Sequence, residues 1–261
     1  MIIKKEHGFS MIELLIAMTV TAFLLMAIYM AVNSTQWNSS SIERKVVAQA
    51  DAKSALDIMA LEIRMASYNA NSPFIDDWVD PGNCTIIATN QNLRGIQIAT
   101  ADTIVVQMDA DDSCKSISPP VNCIGDGPNE VIRYNYVSDA DPEGERYITR
   151  ATNCGTPQPF LGDLITSNRP RNVRVNNVDL NIPLFRYFDG SDNELIPAPA
   201  PLTGTARRLN DTTIPDIRRI VITLALQTEA LQTTEIDPLR KGRRQLFYST
   251  SIIPRNHAII H

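Results

Sequence analysis

From Phe9 to Val32 the chain runs for about two dozen residues with a single charged side chain, the carboxylate of Glu13. A helix of that length reaches about 36 Å, against about 30 Å for the hydrocarbon core of a bilayer. Lys4 and Lys5 precede the run, and Gly8 separates them from it. An acidic side chain in a membrane helix costs on the order of 2.5–3.5 kcal/mol near the centre and less near the interface. A plain anchor has no use for it, so Glu13 needs a partner. A cut after Gly8 would supply one. It would leave an amine on Phe9, four residues before Glu13 and one helical turn away on the same face. In an isolated subunit the two groups can pair with each other. In an assembly Glu13 of one subunit can meet the Phe9 amine of its neighbour.

Gly8-Phe9-Ser10-Met11-Ile12-Glu13-Leu14-Leu15-Ile16-Ala17-Met18 resembles the class III signal of type IV prepilins and type II secretion pseudopilins. The resemblance implies cleavage between Gly8 and Phe9 by a prepilin peptidase, N-methylation of Phe9, and Glu13 as the assembly charge. A secretory signal peptide is the first alternative. Its apolar region is shorter and ends in a small-x-small site, whereas this run is long, contains Glu13 and lacks such a site. A plain signal anchor is the second, and Lys4 and Lys5 would orient it with a cytoplasmic N-terminus, as in the pilin case.

Composition bounds the remainder. The chain has 261 residues and a net charge of −5, and the part beyond the helix suffices for one domain with its own core. Nucleic-acid binding needs a clustered basic face, and the one basic run, Arg240-Lys241-Gly242-Arg243-Arg244, reads as a solvated turn before a strand. Four cysteines, Cys84, Cys114, Cys123 and Cys154, come after the apolar run. The signal places them outside the cytoplasm, where disulfides persist, and four cysteines allow three connectivities. Cys114 with Cys123 is the expected short pair, around a loop with Pro119 and Pro120, which leaves Cys84 with Cys154. Free buried thiols and crossed bridges are the alternatives. No C-x-x-C pair occurs, so a zinc site has no support.

The helix is expected to continue beyond the apolar run. Residues 33–69 contain neither proline nor glycine. Ile42, Val46 and Ala50 keep i, i+4 spacing, and Leu56, Met59, Ala60 and Ile63 keep i, i+3, i+4, i+7 spacing, an apolar stripe that would pack on its own domain. The Ser- and Asn-rich stretch 33–41 is where fraying or bending is expected, and Asn69-Ala70-Asn71-Ser72-Pro73 should stop the helix after about Tyr68. Short strands come next: Thr103–Met108, Glu130–Val137, Arg146–Arg150, Pro183–Phe188 leading into a turn at Asp189-Gly190, Asp216–Leu226 and Gln245–Ile252. The fold class is therefore α+β, a long N-terminal helix packed on a largely antiparallel β-sheet domain. Four segments result: a leader at 1–8, a membrane half of the helix at 9–32, an amphipathic half at 33–69 and a β-rich body at 70–261. In this order of elements, with Phe185-Arg186-Tyr187-Phe188-Asp189-Gly190 and the late Arg218-Arg219-Ile220-Val221-Ile222-Thr223-Leu224, the chain resembles the PilW branch of minor pilins, which is similar to the J-type minor pseudopilins.

Nothing marks an enzyme. The histidines are His7, His257 and His261, so a Ser-His or Cys-His pair would need the tail to fold back. No nucleophile-elbow, Walker or dinucleotide fingerprint occurs. The acidic loops at Asp109-Ala110-Asp111-Asp112-Ser113 and Asp139–Gly144 both fail the EF-hand pattern and read as solvated turns, a site stitched from two loops being the exception. Catalytic, cofactor and metal residues are therefore expected to be none. The resemblance implies a structural minor pilin that helps start type IV pilus assembly and sits at or near the tip. Its partners would be the other minor pilins, the major pilin, the prepilin peptidase, the inner-membrane assembly platform and the membrane, with no nucleic acid. It would sit in the inner membrane with a cytoplasmic N-terminus and a periplasmic body, then in the extracellular pilus. A type II secretion minor pseudopilin and a membrane-anchored periplasmic binding domain are the rival functions.

Overall fold

The computed structural model describes residues 10–69, 78–82, 84, 93–111, 124–125, 127–138, 145–162, 173–197, 209, 212–228 and 244–257. The chain divides into two compact units, 1–46 and 47–261. A single helix, α1 (Met11–Arg64), supplies the described part of the first unit and the start of the second. It is helical throughout the Ser- and Asn-rich stretch 33–41, where the composition predicts fraying or bending.

Within the second unit α1 buries Ala48, Ala52, Ala55, Leu56, Met59, Ala60 and Ile63, and Ala66 just past its end is buried too. The spacing places them on one face, as expected for Leu56, Met59, Ala60 and Ile63. Ile42 and Val46 differ: both are exposed, because the packed face begins at Ala48. The helix also ends at Arg64, four residues short of the expected Tyr68. Its last turn tightens through Ala66 N–H to the Ile63 carbonyl at 3.1 Å, and Ser67 takes a left-handed φ of 65°. Ser67 N–H then leaves the helix to donate to the Gln107 carbonyl at 2.9 Å, so a tertiary bond terminates the helix before the sequence breaker does.

Among the described residues ten strands form two antiparallel sheets, both in the second unit. The first is a meander of β1 (Ile96–Ala99), β2 (Thr103–Gln107), β3 (Val131–Ser138), β4 (Arg146–Thr152) and β5 (Gln158–Leu161). The second has the order β10-β9-β7-β8, with β6 also on β9; its members are β6 (Val173–Val175), β7 (Phe185–Phe188), β8 (Glu194–Leu195), β9 (Arg219–Thr228) and β10 (Arg244–Ile252). The antiparallel structure is thus split between two sheets. Alternation sets the inward faces, with Ile132, Tyr134 and Tyr136 buried on β3 and Ile220, Ile222, Leu224 and Leu226 on β9. These residues share one hydrophobic core with the buried face of α1.

Polar contacts join the layers. Glu62 of α1 receives the Tyr134 hydroxyl and is held by Arg150 of β4, whose Nη2 donates to Oε1 at 2.6 Å. Burial and the Glu62 carboxylate both raise the Tyr134 pKa. Between the sheets, Tyr187 O–H donates to the Thr100 carbonyl at 2.8 Å, Tyr136 O–H to the Val175 carbonyl at 2.9 Å, and Phe185 N–H to the Ala101 carbonyl at 2.9 Å.

Candidate functional site: the opening of the apolar helix

Ser10 precedes the first helical residue, Met11, and Glu13 stands at the third position. Ile12 N–H donates to Ser10 Oγ at 3.4 Å, while Glu13 Oε2 accepts from Ser10 N–H at 3.1 Å. This is close to a reciprocal capping box, in which an N-cap hydroxyl and a third-position carboxylate satisfy N–H groups that the helix cannot. The acid also faces the positive end of the helix dipole. Glu13 therefore has a local partner before any neighbour arrives, which lowers the cost of carrying it at the edge of an apolar helix.

From Met11 to Gln36 the helix is long and apolar enough to cross a membrane, judged by length and composition. Phe23, Leu24, Leu25, Ile28 and Tyr29 are all exposed. Three threonines on this stretch turn inward on the backbone. Thr19 Oγ1 donates to the Ile16 carbonyl at 2.8 Å, Thr21 to Ala17 at 2.7 Å and Thr35 to Ala31 at 2.9 Å. Hydroxyls satisfied within the helix suit a surface that lies in lipid or against other apolar helices. Gly8 and Phe9 lie outside the described residues.

The cysteines build a second feature. Cys84 is bonded to Cys154, with a Cα–Cα separation of 5.8 Å, beside a small core of Trp78, Val79, Val105, Ile124 and Val131. Cys114 and Cys123 lie outside the described residues, so their pairing stands as a proposal. Asp112 and the loop 139–144 are also outside them. Asp109 and Asp111 converge with Glu130, their carboxylate oxygens within 4.8 Å of one another. Glu130 has no local sequence signal of this role; it sits at the start of the strand that returns to this loop. Its carboxylate accepts N–H bonds from Gly125 at 2.9 Å, Gly127 at 2.8 Å and Ala110 at 3.2 Å. Those bonds make it an organiser of the two loops, and among the described residues the three acids together are the group with the donor chemistry for a hard cation.

The tail does fold back. His257 is buried, and its Nδ1 lies 2.8 Å from Ser67 Oγ, with Nε2 2.9 Å from the Ile214 carbonyl. A carbonyl only accepts, so Nε2 carries the proton and Nδ1 accepts from the Ser67 hydroxyl. Burial, with Arg218 and Arg94 nearby, lowers the His257 pKa to about 4, so the ring is neutral at pH 7. Ser67 is itself buried and also takes the Gly95 N–H at 3.0 Å. The pair ties the end of α1, β1 and the turn at Ile214–Asp216 to the tail. Sequence spacing gives no sign of a contact between residues so far apart.

Residues 3–29 match the family model of the prokaryotic N-terminal methylation motif. No curated protein matches the chain. Among solved structures, a type IV-like pilin from Thermus thermophilus is similar, at 10% identity and a TM-score of 0.37, over 81% of this chain and 98% of that one. The chain thus carries a prepilin-type methylation motif at the head of a long apolar helix, followed by antiparallel sheets, a combination that fits a type IV pilin or pseudopilin.

Proposed function

We propose that this protein is a structural minor pilin, without enzymatic activity, that helps initiate type IV pilus assembly and stays at or near the tip. The observation that carries this is Glu13, the lone charge of the apolar helix, inside a matched methylation motif. A peptidase removes residues 1–8, and Phe9 is methylated. Residues 9–32 then sit in the inner membrane, 33–69 continue the helix, and 70–261 form the body. The lysines hold the N-terminus in the cytoplasm, and the Cys84–Cys154 bond fits a body on the oxidising side. On extraction into the filament the apolar surface exchanges lipid for neighbouring helices. Both states bury it, so hydrophobicity does not drive the step and an assembly motor must supply work. Glu13 sets axial register by exchanging its Ser10 contact for a neighbour's Phe9 amine.

The partners are other minor pilins, the major pilin, the peptidase, the assembly platform and the membrane. A type II secretion minor pseudopilin is the second reading, because it shares the same N-terminal signal; neighbouring genes separate the two. The test is Glu13→Val. It should insert normally, since a membrane charge is removed, yet cells should carry few or no pili at unchanged protein level. Wild-type piliation, in a strain where no sister subunit can substitute, would overturn the role of Glu13.

A further inference from the structure

A cleft of 420 Å³ opens where the two sheets meet, lined by Asp102, Ile182, Pro183, Leu195, Ile196 and neighbouring residues. Its walls are fixed. Asp102 lies in the β1–β2 connection, its N–H on Thr100 Oγ1 at 3.2 Å and its carbonyl receiving Tyr136 N–H at 2.9 Å. On the opposite wall Asn177 Nδ2 donates to the Thr223 carbonyl at 2.7 Å and Oδ1 accepts Ala225 N–H at 2.9 Å, which holds the loop carrying Ile182. The other charges at the cleft are committed to each other. Arg186 grips Glu194 through two bonds of 2.7 and 2.6 Å, and that pairing lowers the Glu194 pKa.

Asp102 is different. Among the described residues its carboxylate has neither a hydrogen-bond nor an ion-pair partner. It reaches solvent on one side, yet protein flanks it closely enough that burial raises its pKa. The cleft mouth is also apolar where a soluble surface is usually polar. Outside α1 the exposed large hydrophobics among the described residues are Met65, Tyr68, Val178, Ile196, Phe247 and Ile253, and Val178 and Ile196 both line this cleft. An unpaired carboxylate framed by exposed aliphatic and proline side chains has the complement of a flexible apolar stem that ends in a cation.

We propose that this cleft is a docking site for a lysine side chain presented by a partner polypeptide. The methylene stem lies along Ile182, Leu195 and Ile196, and the ammonium pairs with Asp102. Lysine is the cation proposed because its long methylene stem can lie along the aliphatic wall while its compact ammonium needs a single carboxylate. Among the described residues no cation offsets the burial that raises the Asp102 pKa, and a lysine ammonium would. The folded pKa of this aspartate is raised, so its contribution to stability is full below the unfolded carboxylate value and is lost as pH rises through the folded one. A structural aspartate does the reverse. A residue that lowers stability in the free subunit and gains a partner on binding is expected at a functional surface.

The site lies wholly in the β-body and does not depend on processing of the N-terminus, so its test can fail independently of the function proposed above. The full-length chain in detergent, with labelled isoleucine methyl groups, is titrated with the peptide acetyl-Gly-Ala-Lys-Ala-Gly-amide, with the same peptide carrying Nε-acetyl-lysine, and with cadaverine. The lysine peptide should move the Ile182 and Ile196 methyl resonances saturably. The acetylated peptide and the Asp102→Asn variant should each weaken that response at least about tenfold, and Asp102→Asn should unfold at a temperature no lower than the parent at neutral pH. Equal binding of the acetylated peptide, or an unchanged response in Asp102→Asn, would overturn the ammonium pairing. Cadaverine binding as tightly as the peptide would overturn the polypeptide as the source. A lowered unfolding temperature in Asp102→Asn would return the residue to a structural role.

Discussion

Replacing His257 by phenylalanine should cost more than any surface substitution in the tail, and the loss should depend on pH. The ring is 1% exposed and bonds Ser67 on one side and Ile214 on the other. Phenylalanine keeps most of the volume but leaves the buried Ser67 hydroxyl without this acceptor, at about 1–3 kcal/mol, and leaves the Ile214 carbonyl with the Ile217 N–H at 3.1 Å, at about 0.5–1.5 kcal/mol. The variant should therefore lose roughly 1.5–4.5 kcal/mol at pH 7. The pH dependence has a definite sign. The folded pKa is about 4, below the ordinary histidine value of 6.5, so the unfolded chain takes up the proton first. The stability from neutral His257 is full above about pH 6.5 and falls as pH drops towards 4, by about 3 kcal/mol at 1.36 kcal/mol per unit. Urea unfolding of the full-length chain in detergent, followed by near-ultraviolet circular dichroism, reads the β-body rather than the membrane helix. The gap between parent and variant should be wide at pH 7 and should narrow by about 3 kcal/mol at pH 4. A gap that stays constant across that range would refute the buried neutral imidazole.

Two further substitutions probe the same body. At Gly95 a Cβ would overlap the backbone N and Cα of Ser67 and lie 2.5 Å from the Gln107 carbonyl oxygen, so Gly95→Ala should destabilise by on the order of 3 kcal/mol or more, read as a lowered urea midpoint. Cys154→Ser opens a link of sequence separation 70 and should cost roughly 4 kcal/mol in the chain-entropy model; non-reducing peptide mapping of the parent should show Cys84 joined to Cys154 and Cys114 to Cys123.

The parts of the fold that are legible in the sequence are those governed by local pattern. Alternation marks β3 and β4, a long β-branched run marks β9, and helical spacing finds the buried face at Leu56, Met59, Ala60 and Ile63. The strands that escape such reading carry little pattern. β6 has three residues and β8 two, and β5 contains Pro159, which a strand tolerates at a sheet edge. β9 begins at Arg219 rather than Asp216 because Pro215 sits in a 3-10 turn at Ile214–Asp216 and Arg218 N–H is taken by the Phe188 carbonyl at 2.8 Å. At the candidate site, Glu13 stands out because a charge in an apolar run is costly. Its reciprocal bond with Ser10 has a sequence signal too, the S-x-x-E spacing of a capping box, which the prominence of the charge overshadows. Glu130, His257 and the Asp102 cleft depend on contacts between distant segments, which no local spacing records.

The central claim concerns two residues at the front of the chain. Intact-mass and N-terminal peptide mass spectrometry on the protein recovered from native membranes tests it most directly. The chain should begin at Phe9, with one methyl group on its amine, and a Gly8 variant with a bulky side chain should keep residues 1–8. A protein that still begins at Met1, or one cut beyond the apolar helix, would contradict the proposed prepilin processing and with it the role given to Glu13.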